Sequence, residues 1–146
     1  MTFESVRPKL REDARVRPAT PADERALAVI DHSTWSWAVT PVPLWLVERP
    51  FFDAGTRPED VLVAVAGDRI AGYVRLRPVA LTASGHVQEI HGFAVDPDQQ
   101  GWGLGRLLLE AARREAVARG ARRITLRVLG NRPGSDVLRG DPARAW

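Results

Sequence analysis

The chain has 146 residues, 45% hydrophobic and 27% charged, which suits one domain with a sound core and excludes wholesale disorder. It holds no cysteine, and its three histidines, His32, His86 and His91, show no metal-ligand spacing, so disulfides, thiol nucleophiles and zinc chemistry are set aside. The formal charge of +3 is uneven: residues 1–100 carry 11 basic and 14 acidic side chains, whereas residues 101–146 carry 10 Arg against 4 acids, which places the positive field in the C-terminal third.

Residues 1–13 alternate charge and polarity without period and read as a flexible N-terminal arm. No basic patch there leads into an apolar stretch, and no window approaches the ~18 apolar residues of a membrane span, so a soluble, cytoplasmic protein without a membrane partner is expected. Arg15 to Pro18 is a short extended stretch. Thr20 followed by Pro21 is a helix start, and a helix to about Asp31 follows. Residues 32–57 hold Trp35, Trp37, Trp45, Phe51 and Phe52 among prolines, which fits short turns. Val61–Val65 is a buried-strand run, Gly67-Asp68 a turn, and Ile70–Val79 the returning strand of a hairpin. Val87–Val95 is a further strand; its alternation sends Glu89, His91 and Phe93 to one face and Gln88, Ile90 and Ala94 to the other. Leu104, Leu107, Leu108, Ala111, Ala112 and Val117 recur at helical spacing over 104–119, Gly120 stops that helix, and Ile124–Val128 alternates as a last strand. The order predicts a mixed α/β fold on a largely antiparallel sheet with one strand–helix–strand crossover.

The stretch Val95–Leu108 carries the most chemistry. A strand ends, a short loop turns, and Gly101, Gly103 and Gly105 open an amphipathic helix. Glycines admit a ligand close to the backbone, and the first free N–H groups of the helix point into that space with the positive end of its dipole behind them. Such a place suits an anion, most naturally phosphate, and Arg106 reinforces its sign. The spacing is neither Gly-x-Gly-x-x-Gly nor a Walker loop. Taken alone, three glycines also fit a plain tight turn.

In its context the stretch resembles the acetyl-CoA motif of the GNAT superfamily of N-acetyltransferases: a Gln or Arg, two free positions, Gly, one free position, then Gly or Ala. Gln100, Gly103 and Gly105 fill it, and the resemblance extends from Val16 to Asn131. It implies a GNAT-like domain over residues 14–131, of α/β (α+β) class, that uses acetyl-CoA as co-substrate. The backbone of Phe93, Ala94 and Val95 would then pair with the pantetheine arm, with the Val95 N–H as oxyanion donor. Gln100, Gly101, Trp102, Gly103, Leu104, Gly105 and Arg106 would cradle the pyrophosphate, and Asn131 would lie near the distal pantetheine. Direct attack by an amine needs a base, oxyanion donors and an acid for the leaving thiolate. Glu89 is the candidate base by its place on the strand before the loop, with His91 sharing the role or relaying through water. Strand-end polarity is the alternative reading of both.

The family's pattern continues after Asn131 with a Tyr-bearing helix and two further strands, whereas residues 132–146 diverge and the chain's one tyrosine is Tyr73. The usual general acid is therefore missing, and the sheet is expected to lack its last strands. Codons for Asp136–Asp141 read one nucleotide later can spell Thr-Phe-Tyr-Glu-Ala-Thr, so a shifted frame and a native short tail both stand as origins. An uncovered edge would favour a homodimer or other partner chain. The resemblance implies a small-molecule or peptide amine as acceptor, walled by about His32–Phe52. Trp35, Trp37 and Trp45 read as core or as an apolar or cation-favouring pocket. The rivals are a truncated, non-catalytic acyl-CoA-binding module and a nucleic-acid binder using Arg-rich residues 106–123; the latter is set aside, because that helix needs its apolar face for core and no stacking aromatics are interleaved beyond Trp102.

Overall fold

The computed structural model describes residues 11–35, 50–82 and 85–126. Most of the N-terminal arm, Trp37, Trp45, Asn131 and the tail after it lie outside the described residues. Five strands, β1 (Ala14–Pro18), β2 (Val61–Ala66), β3 (Arg69–Thr82), β4 (Gly85–Val95) and β5 (Arg123–Leu126), form one sheet in that order. All neighbours are antiparallel except β4 and β5, which are parallel and joined by a helix, α2 (Leu104–Ala118). The mixed α/β architecture and its single crossover are as the sequence predicts.

The other helix, α1 (Glu24–Trp35), follows a 3₁₀ turn at Pro21–Asp23 and runs four residues beyond the expected end at Asp31. No Gly or Pro interrupts it, and the Ser33 hydroxyl donates to the Val29 carbonyl at 2.8 Å, so its polar group does not compete for the backbone elsewhere. β3 also continues past Val79, through Pro78. That proline is tolerated because β2 ends opposite Arg75, so the missing N–H falls where β3 has no partner on that side.

Each face of the sheet carries its own core. β2 is buried at every position because it serves both. On the α1 side, Val61, Val63, Val65, Tyr73 and Ala94 pack with Leu27, Ile30 and Phe51. On the α2 side, Leu62, Ala64, Val74, Leu76 and Ile90 pack with Leu108, Ala111 and Ala112.

One sequence expectation fails here. Ile90 and Ala94, placed by strict alternation on one face, belong to opposite cores. The β3–β4 register slips between Arg75 and Leu76, which face Gly92 and Ile90, so His91 is an extra residue in β4. A bulge of one residue inverts every side chain beyond it. Glu89 therefore faces the α1 side, opposite Arg77, while Phe93 turns to the α2 side, where a Cβ on Gly105 would lie 3.3 Å from its Cζ. The bulge sits where β4 leaves β5, since their pairing runs from Val87–Arg123 to Ile90–Leu126 among the described residues.

The entry to α1 is fixed by a buried carboxylate. Asp23 accepts from Arg17 Nη1 and Nη2 at 2.8 and 2.9 Å and from the Thr20 N–H at 2.8 Å. The Arg17 hydrogen bonds hold its carboxyl well down, at about 2. This contribution is complete above the ordinary carboxyl value of 3.8 and is lost as pH falls toward 2. Arg17 is 35% exposed, so solvent screens part of the pair. Replacing Asp23 with Asn is expected to cost about 1–2 kcal/mol at pH 7, measured by urea unfolding, and to flatten the acid limb of the stability curve between about pH 4 and 2.

Candidate active site

Between the end of β4 and the start of α2 lies a cavity of about 440 Å³. Phe93, Ala94, Val95, Gln100, Gly101, Gly103, Leu104, Gly105 and Arg106 line it, joined by Pro97 and Gln99, which the sequence reading missed. Their position in the 3₁₀ turn Pro97–Gln99, between the strand and the glycines, is the signal that would have found them. Trp102 is instead 46% exposed and does not line the cavity.

The local backbone explains the opening. Gly101 and Gly103 adopt φ of 87° and 78°, the left-handed region that side chains disfavour, and Gly103 caps α2. The first bond of the helix ladder is Leu107 N–H to the Gly103 carbonyl at 3.1 Å, so the N–H groups of Leu104, Gly105 and Arg106 precede the ladder. These three residues line the cavity at the positive end of the helix dipole. Gly105 lets the helix approach Phe93 and Val95, since a Cβ there would lie 3.3 Å from one and 3.9 Å from the other.

On the strand side, the Asp96 N–H turns toward β3, donating to the Ala71 carbonyl at 2.7 Å. Strand residues alternate the edge to which they present backbone groups, so Val95 turns its N–H and C=O to the other edge. Gln100 Nε2 meets that Val95 carbonyl at 3.3 Å. The rim is pinned from far upstream: Arg11 Nη1 donates to Gln99 Oε1 at 2.7 Å while its other nitrogens hold Asp13. Arg106 is tied along its own helix to Glu110 at 3.3 Å and is widely exposed.

Glu89 and His91 do not line this cavity. Glu89 is buried and accepts from Arg77 Nε at 2.7 Å. His91, in the bulge, has a buried Nδ1 with no hydrogen-bond partner. Burial pushes its imidazole down to about 4, Arg75 and Arg77 push the same way, and Glu89 and Asp60 oppose them. At neutral pH it is uncharged. No group of three or more His, Asp or Glu side chains able to hold a metal occurs among the described residues, and no described helix is long and apolar enough to cross a membrane.

The family model for the acetyltransferase (GNAT) family matches residues 25–136. The chain belongs to the GNAT acetyltransferase family. A comparison with the curated proteins by sequence gives no match. Among solved structures, the chain is similar to a ribosomal-protein-alanine N-acetyltransferase from Brucella melitensis biovar Abortus 2308, with 16% identity, TM-score 0.64 and 86% of each chain covered. It is also similar to an aminoglycoside acetyltransferase from an uncultured soil metagenomic sample, in complex with trehalose, with 15% identity, TM-score 0.60 and 87% and 84% covered. N-acetylglutamate synthase from Neisseria gonorrhoeae, complexed with coenzyme A and N-acetyl-glutamate, matches 76% of this chain at 19% identity and TM-score 0.58; the chain spans 24% of its length. At these identities the likeness is one of fold.

The His91 environment has a measurable consequence. The unfolded chain takes up this proton near 6.5 and the folded chain only near 4, so folded-state stability declines as pH falls through that interval. An NMR titration of the imidazole is expected to give a midpoint near 4, and Arg75→Met is expected to raise it.

Proposed function

We propose that this chain is an acetyl-CoA-dependent N-acetyltransferase that moves an acetyl group to a primary amine by direct attack in a ternary complex. The observation that carries the reading is the convergence, on one 440 Å³ cavity, of the first residues of α2 and the outer edge of β4 at Val95. The cradle suits a pyrophosphate. Its donors are fixed backbone groups, its glycines remove the side chains that would fill it, and its charge sign is positive.

When bound, acetyl-CoA supplies a thioester, an acyl group already activated for transfer. Gly101 to Arg106 would hold its diphosphate, and the outer edge of Phe93–Val95 would pair with its pantetheine arm. The Val95 N–H would donate to the oxygen on which negative charge develops, a contribution of the kind that is typically worth about 10²–10³ in rate. Glu89 takes the proton that the amine loses, through water, because its carboxylate lies outside the cavity lining and is shared with Arg77. His91 stays uncharged at neutral pH and relays along the same path. The departing thiolate would take its proton from solvent.

A second reading is favoured by one observation: neither candidate proton carrier lines the cavity. On that reading the chain is an acyl-CoA-binding module without turnover. Calorimetric titration with acetyl-CoA, followed by thiol release on addition of an amine panel, separates the two. Gly103→Val is expected to abolish acetyl-CoA binding, because its φ of 78° excludes a β-branched residue. Glu89→Gln is expected to leave that affinity intact and to lower acetylation by about 10²–10⁴. Binding without thiol release for any amine would favour the module, and salt-dependent affinity for random duplex with no acetyl-CoA binding would overturn both.

A further inference from the structure

The α1 side of the sheet holds a cation that the cavity does not use. Arg75 of β3 is largely buried, with its side chain 12% exposed. Its guanidinium covers Gly92 of β4 so closely that a Cβ there would fall 2.6 Å from Nη2 and 2.7 Å from Cζ. The rings of Phe51 and Tyr73 flank it, with their centroids 5.2 and 5.5 Å from its Cζ. The carboxylate beside it is Asp31 of α1, 4.0 Å from Nη2, and Asp31 already accepts from the Tyr73 hydroxyl. Arg75 Nε is buried with no hydrogen-bond partner.

Two consequences follow from this arrangement. Aromatic faces beside a carboxylate are what a cationic ligand would seek, and here the chain's own guanidinium fills that place. A guanidinium has five N–H donors in a fixed fork, and a single ion pair at 4.0 Å leaves most of that capacity unspent. A planar, bidentate anion matches it best.

The location bears on the reaction. Gly92 lies just past the bulge, on the stretch of β4 beyond its described pairing with β5. Phe93, Val95 and the start of α2 occupy the opposite face, so Arg75 stands on the α1 side of the same stretch of β4 whose other face borders the cavity.

We propose that Arg75 anchors a carboxylate of the amine acceptor, so that the acceptor is an amino acid with a free carboxylate rather than a polycationic amine. This rests on the acetyltransferase reading above. Burial is the main cause of the depressed imidazole of His91, and the charges of Arg75 and Arg77 add to it against the opposing pull of Glu89 and Asp60. Arg77 is committed to Glu89, which leaves Arg75 as the group available to a ligand.

The test is thiol release from acetyl-CoA with matched acceptors: each of a panel of amino acids, its carboxamide, and spermidine. The acid is expected to exceed its amide by about tenfold or more in kcat/KM, the scale of one charge-assisted contact. Arg75→Gln is expected to erase that margin mainly through KM, Arg75→Lys to keep part of it, and both to bind acetyl-CoA with wild-type affinity in calorimetry. Equal rates for acid and amide, a preference for spermidine, or a margin that survives Arg75→Gln would overturn the proposal. Acetyl-CoA binding with no acid acetylated would overturn it while leaving the cofactor reading in place, and no acetyl-CoA binding would remove both. Should Arg75→Gln fail to fold, the wild-type comparison of acid with amide decides alone.

Discussion

Every backbone N–H and C=O in a sheet requires a partner, and β4 meets that requirement unevenly along its length. Its inner edge is satisfied by β3 over nearly the whole strand, whereas its outer edge is paired with β5 from Val87 to Ile90 among the described residues. The remaining features follow from that inequality. The bulge at His91 follows directly on the described pairing with β5. The glycines after Gln100 turn the chain so that α2 begins beside the outer edge of β4 at Val95. A molecule with amide groups of its own, lying along Phe93–Val95, would complete the edge as another strand would.

The two faces of the sheet handle charge by different physical means. Near the start of α2, positive potential comes from backbone dipoles, which lose no rotamer freedom when a ligand arrives and cannot be swung aside. On the α1 face it comes from side chains: Arg75, largely buried against two rings and Asp31, and the more exposed Arg77 paired with Glu89. Buried ions of this kind are costly unless their hydrogen bonds are complete. The Nε of Arg75 and the Nδ1 of His91, two of the buried polar atoms without a hydrogen-bond partner among the described residues, lie near each other on the same strand pair; His32 Nδ1 and Gln88 Oε1 are the others.

Most of the fold was legible because its punctuation is local. Pro21, Gly67-Asp68 and Gly120 mark boundaries that the structure keeps within a few residues, and the apolar run of β2 announces a strand buried on both sides. Most of the residues lining the cavity were legible for the same reason, since they are contiguous. The bulge was not. Its extra residue is His91, and nothing in Val87–Val95 distinguishes a strand of period two from one with a slip in the middle, so Glu89 and Phe93 were assigned to one face when they occupy two. Nor was the Asp31–Tyr73–Arg75 group visible, because its members come from a helix and a strand forty residues apart in the chain and meet only through packing.

The contact between Arg11 and Gln99 spans 88 positions. Closing so long a loop carries an entropic cost that local structure has already had to offset. On a ribosome, Arg11 emerges long before its acceptor exists, and β1 must likewise wait for β2. The cavity rim thus rests on a contact that neither segment can make alone, so the site inherits a dependence on a residue far upstream of its glycines.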